Sequence, residues 1–429
     1  MHVSLDSALG RQRRLNSVGE SVLQIAPNAA AAYSLRSLTG ADPKVVRVRR
    51  GSDNAERDFT ASGVTSGALT SFVNEDVTIY QSDFSAGVNG FNAAGTTTIT
   101  GNQDGVSDSA GTSKDNVLKV VKAADSQGYM QRDQGVVAGL TYTVSGSFFA
   151  PSANTSVDGI MIKDGLAGSS LSNYPSGYLV SDGTWKDFSF SYTAASDGNQ
   201  RVQLGISSLG SNPNGSSTGS SGDIVYIADL KFVETISNGF VETWYDQSGN
   251  SNDAVQETAG SQPKIVNAGT LLNELDFDGT DDTLAIDFGA DLSQANSLFM
   301  VHQSDTTTGS ANEFFDSSGS DSPRTLLDKS GSDYRMLAES SVGTGVAVTT
   351  DKSLIFALYN GASSLFAKNG TATSALNAGT ADINQNSTLG SSDNRFYDGT
   401  MQEFIVYNSD QSANRTAVET NINNHYSIF

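Results

Sequence analysis

Short alternating apolar runs, each closed by glycine, asparagine, aspartate or serine, recur along this chain and leave few folds open to it. In the first half they fall at Asn116–Val121, Thr141–Phe149, Gly159–Ile162, Trp185–Tyr192, Arg201–Ile206 and Ile224–Val233. A period of two turns one face of each run toward a core. The turn residues supply the positive φ angles and local hydrogen bonds that reverse the chain, so the pattern predicts an antiparallel sandwich. A second series follows at Phe240–Tyr245, Ala254–Val255, Lys264–Val266, Glu274–Phe277, Thr283–Asp287, Ser297–His302, Thr325–Asp328, Ser353–Tyr359, Leu365–Lys368, Thr388–Gly390 and Met401–Tyr407. Apolar residues make up only 37 % of the chain, yet they fall in these runs, which implies a core. A length of 429 residues suits two or three domains.

Helical periodicity is confined to the ends. Leu5, Leu9, Leu15, Val18 and Val22 are compatible with one apolar face over residues 4–25, and Ala29 to Leu38 reads as a second short helix capped by Asn28. Lys44 to Arg50 alternates as a strand. At the other end, Ala413 to Tyr426 gives the clearest helix, with Val418, Ile422 and Tyr426 on one face and Asp410 or Ser412 placed to cap it.

The net charge of −22 argues against a nucleic-acid-binding surface. The charge is uneven: residues 1–60 hold nine Lys/Arg against six Asp/Glu, and the remainder holds 16 against 41. Arg11, Arg13 and Arg14 form the sharpest basic cluster, readable as a solvated helix face or as an anchor to an acidic partner. Cysteine is absent, which removes disulfides, thiolate metal sites and a cysteine nucleophile. No run has the length of a Sec signal h-region or a membrane-spanning helix, so the expectation is a protein made in a cytoplasm and not inserted in a membrane.

The segment Phe240-Val-Glu-Thr-Trp-Tyr-Asp-Gln-Ser-Gly-Asn-Ser-Asn-Asp253 reads as a strand running into a bent, polar turn. It resembles the corresponding segment of the α-L-arabinofuranosidase B catalytic domain, a concanavalin A-like sandwich, and also segments of marine bacteriophage surface and tail proteins. In that enzyme domain a stretch like Ala30–Arg36 and Val48–Asn54 leads almost directly to the turn, whereas about 165 residues intervene here. The intervening runs, with Leu140–Phe149, Gly183–Thr193 and Asp223–Glu234 in that order, resemble jelly-roll carbohydrate-binding modules of the family 4/9 type. The resemblances imply an all-β chain of two sandwiches with short terminal helices. Residues 1–26 would be a helical anchor, residues 27–74 with 238–429 a discontinuous concanavalin A-like sandwich, and residues 75–237 an inserted jelly-roll. Loop insertion costs little when the guest's termini lie together.

A retaining glycosidase needs two carboxyl groups about 5–5.5 Å apart. The enzyme family's acid/base aspartate lies in a Gly-Asp-Asn context, approximately matched by Asp393 in Gly390-Ser-Ser-Asp-Asn394. Its nucleophilic glutamate falls where this chain has Ser330, and its disulfide is missing as well, so the resemblance implies a lost catalytic apparatus with Asp393 as a residual candidate or a simple turn former. Asp328 and Glu313 are the carboxyls that a hydrolase with altered machinery would use. Asp246 and Asn250 could face a sugar or cap the bend, and Trp244 reads as core. Trp185, Tyr129, Tyr174 and Tyr178 are candidate stacking platforms for pyranose rings, with burial as the plainer reading of Trp185. Asp276-Phe-Asp-Gly-Thr-Asp-Asp282 departs from the EF-hand template and reads as a tight turn. Backbone carbonyls of the jelly-roll leave room for calcium, and no other cofactor is implied. His2, His302 and His425 are too scattered for a triad or zinc site.

The expectation is a catalytically inactive virion protein, a tail fibre or capsid-surface fibre, that presents its sandwiches to host-surface glycans. It would be anchored to other virion proteins through its N-terminus and assembled as a homotrimer. The competing readings are an arabinofuranosidase-like hydrolase and a bacterial adhesin secreted by a non-Sec route.

Overall fold

A computed structural model describes residues 19–95, 97–123, 128–155, 157, 159–166, 178–207, 221–307, 313–317, 323–392 and 395–429. The chain divides into two compact units, Met1–Val73 with Asn238–Phe429 and Asn74–Ser237. Among the described residues all strand pairing is antiparallel, and the all-β sandwich expected from the alternation is what the strands form.

In the first unit, one sheet runs from Leu365–Lys368 through Ser353–Tyr359 and Asn296–Ser304 to Asp398–Tyr407. The far edge of Asp398–Tyr407 carries Ala31–Ser34 along one half and Thr270–Asp278 along the other. The second sheet runs Ala254–Val255, Leu284–Asp287, Asn386–Leu389, Glu313–Asp316, Thr325–Ser330, Asp333–Ala338 and Ser340–Ala347. Gly239–Trp244 joins the two, pairing with Lys44–Arg50 and Lys264–Asn267 as well as with Ala254–Val255. The core between the sheets includes Tyr33, Trp244, Phe277, Phe314, Phe315, Tyr334, Phe366 and Phe404. A further cluster on Phe299, Phe356, Ile405 and Tyr407 is covered by the C-terminal helix Arg415–Tyr426 through Val418 and Ile422. That helix starts later than expected. Asn414 is its N-cap, while Asp410 spends its Oδ1 on the Ser412 amide 2.8 Å away.

Two N-terminal readings need correction. Ala29 to Leu38 is not a helix: Ala31–Ser34 is a fully buried strand, and Asn28 sits at φ +66° in place of capping. Four alanines, Ala29 to Ala32, favour helix locally, but an edge beside Asp398–Tyr407 and the bonds supplied by the turn at Asp246 decide the conformation. Among the described residues the N-terminal helix is the single turn Val22–Ile25. The rest of the expected anchor, with Arg11, Arg13 and Arg14, lies outside them.

Among the described residues the second unit is two facing sheets with a small hairpin, Val106–Ser107 on Ser113–Lys114, beside them. One is ordered Tyr178–Val180, Gly159–Leu166, Gly198–Ser207, Gly128–Val136, Asn92–Gly95. The other is Lys186–Thr193, Thr141–Phe149, Ile224–Ile236, Val117–Lys122, Thr97–Gln103, with Val77–Ser82 also on Ile224–Ile236. Phe84, Phe91, Leu118, Phe148, Phe188, Ile227 and Phe232 are in its core.

Candidate functional site

The turn after Trp244 is built to hold backbone. Asp246 Oδ1 accepts from the amides of Ala32 and Ser248, both at 2.8 Å, and Oδ2 accepts from Ser248 Oγ at 2.7 Å and the Asn252 amide at 3.1 Å. Asn250 Nδ2 donates to the carbonyls of Ala29 and Ala30 at 2.8 and 3.1 Å. Gln247 is buried, accepts from the Leu38 amide and donates to the carbonyls of Ser34 and Arg36. Gly249 stands at φ +93°, a conformation that side chains with a Cβ rarely adopt. Both carboxylate oxygens of Asp246 are therefore committed to fixing Ala31–Ser34 against the turn, and Trp244 is fully buried 5.6 Å from Tyr33. Asn250 also borders a cleft of about 470 Å³ with Asn28, Ser248, Asn252 and Asn408.

A larger groove, about 780 Å³, lies along Ala254–Val255, Leu284–Asp287, Asn386–Leu389 and Glu313–Asp316. Its lining combines apolar Val255 and Ala285 with Asp253, Asp287, Asp291, Asn384, Asn386 and Thr388. The carboxylates are positioned through one oxygen each. Asp253 Oδ1 accepts from the Asp246 amide at 2.8 Å, and Asp291 Oδ1 from the Gln385 amide at 2.7 Å. Asp287 Oδ1 accepts from the Gly289 amide at 2.8 Å and Gln385 Nε2 at 3.0 Å, which holds its carboxyl below the usual carboxylate range. Partial burial, followed by the Asp246 charge, pushes Asp253 the other way. Asp316 is wholly buried and bonded to Arg324 at 2.9 Å. Asp253, Asp287 and Asp291 are not legible as site residues in the sequence, because the turn chemistry of aspartate masks any ligand role.

Three residues along the strand from Asp316 stands Glu313, directly opposite Asp328 on the neighbouring strand. Both side chains are fully buried. Arg335 clamps Asp328 with two donors, Nε at 2.8 Å and Nη2, and Arg395 Nε lies 3.0 Å from Glu313 Oε1. Burial first, and the Asp328 charge second, raise the Glu313 carboxyl well above its ordinary range. The two carboxyls named for a hydrolase are thus brought together, and each has a guanidinium beside it. Ser330 is exposed at the end of its strand, and Asp393 lies outside the described residues.

In the second unit, Trp185 is half-buried. Its ring centroid lies 5.6 Å from that of Phe149, which stacks in turn on Tyr226 at 5.9 Å. Asp108 fixes the Trp185 amide at 2.9 Å, and Lys114 Nζ sits 5.4 Å from the indole. Tyr174 lies outside the described residues, as do the side chains of Tyr129 and Tyr178. The acidic loop holds Asp278, Asp281 and Asp282 together. Asp278 Oδ1 accepts from the amides of Thr280 and Asp281, and Asp282 Oδ2 from the amide of Asp278, as in a tight turn.

No family model matches the sequence, and no curated protein matches it. Among solved structures, the chain is similar to the CBM22-1 xylan-binding domain from Paenibacillus barcinonensis at 10 % identity and TM-score 0.29, over 38 % of this chain and 97 % of that one. It is similar to a family 16 carbohydrate-binding module at 14 % identity and TM-score 0.24, over 35 % and 94 %. A Trypanosoma rangeli sialidase aligns at 11 % identity and TM-score 0.31, over 71 % of this chain and 60 % of the sialidase. At such low scores the fold assignment rests on the strand pairing above, and not on these likenesses.

Proposed function

We propose that this chain is a glycan-recognition protein that binds its ligand in the groove of the first unit without hydrolysing it. The groove itself carries the reading. It has the size of a small-ligand site, an apolar strip on which a ring can lie, and a wall of carboxylate, amide and hydroxyl groups held in place by backbone bonds. Such a surface matches a saccharide, which offers hydroxyl donors around an apolar ring.

Hydrolysis is disfavoured by the state of Glu313 and Asp328. A retaining mechanism requires both an exposed nucleophile and an accessible acid, whereas these side chains are buried and beside arginines. The alternative, an α-L-arabinofuranosidase-like hydrolase, would depend on Asp393. The sequence resemblance to marine phage proteins supports placing the chain on a virion, held through residues 1–26 to its other proteins and trimeric, so that weak single sites act together.

The test is a glycan array run with the purified chain alongside turnover of 4-nitrophenyl α-L-arabinofuranoside. Binding without turnover, weakened about fivefold by Asn386→Ala through loss of one hydrogen bond, is the expected result. Turnover abolished by Asp393→Asn would establish the hydrolase instead. Deleting residues 1–18, which stops short of the buried Val22 and Ala26, should leave the sandwiches folded and abolish incorporation into particles.

A further inference from the structure

The groove's charge goes beyond a general affinity for sugars, and the argument rests on the binding reading above. Asp253, Asp287 and Asp291 line it, and each commits one carboxylate oxygen to a backbone or amide donor. Among the described residues none of the three has an ion-pair partner, in contrast to Asp316, whose charge meets Arg324. The donors on the same wall are largely consumed. Gln385 Nε2 is given to Asp287, the Ser387 hydroxyl to the Asn384 carbonyl at 3.0 Å, and the Thr388 hydroxyl to the Ser391 carbonyl at 2.9 Å. What remains is an excess of negatively charged acceptors.

The sequence reinforces that imbalance. From Ile265 to Pro323 the chain has eleven aspartates and glutamates and no lysine or arginine, and from Asn369 to Asn394 it again has no lysine or arginine. The stretches that supply Ala285–Asp291, Asp316–Ser317 and Asn384–Thr388 to the groove all fall inside these two cation-free segments, apart from the contribution of Asp253 and Val255.

We infer that Asp253, Asp287 and Asp291 are specificity determinants that restrict the groove to neutral or amine-bearing saccharides and exclude acidic ones, such as uronate, sialate or sulfate-bearing chains. A sugar carboxylate entering the groove would meet like charges with no neutralising donor, which is exclusion by repulsion. Hydroxyl pairs and ammonium groups donate to the unengaged carboxylate oxygens and meet no such barrier.

The experiment is titration calorimetry on the full chain with size-matched oligosaccharides: galacto-oligomers, glucosamine oligomers and oligogalacturonate. Each is run at low and high salt, on the native protein and on an Asp287→Asn/Asp291→Asn variant. Asparagine keeps the Oδ1 acceptor, so the Gly289 and Gln385 bonds survive, and a circular dichroism spectrum checks the fold. The expected result is binding of the neutral or amine-bearing oligomers at least tenfold tighter than oligogalacturonate. That gap should narrow about tenfold in the variant and shrink at high salt. Equal affinity for galacturonate and galactose oligomers, or a gap unmoved by the variant, would overturn the electrostatic filter while leaving glycan binding intact. Binding of none of the three, with none on the wider array, would overturn the binding reading and the filter together.

Discussion

The same sheet of the first unit holds two sets of acidic side chains that have been put to opposite uses. Asp287 and Asp291 stand exposed at the groove, each tied by one oxygen and, among the described residues, without a cation. Glu313 and Asp328 are fully buried, face each other across two strands and lie beside Arg395 and Arg335. Residue type alone would make either pair a candidate for acid–base chemistry. Burial and pairing separate them: the inner pair is locked into the fold, and the outer set keeps acceptor capacity for a ligand. A carboxylate's role is decided by what is taken from it.

The sharpest way to break this contrast is to unlock the inner pair. Arg335→Ala would leave Asp328 buried without its bidentate partner, and urea unfolding should show a loss of about 3 kcal/mol. An unchanged midpoint would mean the clamp contributes nothing.

The pH dependence of stability offers a second test, with two groups pulling in opposite directions. Glu313 has its folded value raised above the ordinary 4.5 by burial, so the native state holds a proton that the unfolded chain has released. Its contribution is complete below 4.5 and is lost as pH climbs through the raised value. Glu313→Gln should flatten that decline. His302 works on the acid side. Buried between Tyr334 Oη at 2.9 Å and Tyr397 Oη at 3.1 Å, it is pushed down to about 3, chiefly by burial. The unfolded histidine takes its proton near 6.5, so this contribution is complete above that value and is lost as pH falls toward 3. His302→Gln should reduce the slope in that window, and persistence of the full slope would assign it to other groups.

The smallest stability effect belongs to the outer set. Asp291→Asn should leave the melting midpoint unchanged, since the side chain is exposed and its Oδ1 acceptor is retained. A clear shift would show that the groove carboxylates are structural too, and the distinction between the two sets would collapse.

Much of the sandwich is legible in the sequence. Ser353–Tyr359 and Leu365–Lys368 occur with the bounds that their apolar runs and flanking turn residues indicated, and Met401–Tyr407 lies within a slightly longer strand. The structural alternatives for Trp244 and Asp246 also hold, because a tryptophan on an apolar strand is best buried and an aspartate before Ser-Gly-Asn is a ready acceptor for turn amides. Glu313–Asp316 and Ser340–Ala347 are not legible, since their acidic, serine and glycine residues break the apolar pattern, whereas Asp333–Ala338 does alternate in burial but its charged Asp333 and Arg335 obscure the run.

What the sequence determined by itself is local: period-two burial, the position of reversals, the amphipathic face of the last helix, and a surplus of negative charge without thiols. Tertiary structure alone decided that Ala31, Ala32, Tyr33 and Ser34 form a strand, because their hydrogen-bond partners lie on Asp398–Tyr407 and in the turn at Asp246. It alone paired Glu313 with Asp328 and matched each to an arginine, while leaving Asp287 and Asp291 without an ion pair among the described residues. Charge and hydrogen-bonding capacity are written residue by residue, but whether they are spent depends on neighbours that only the folded sheet brings within reach.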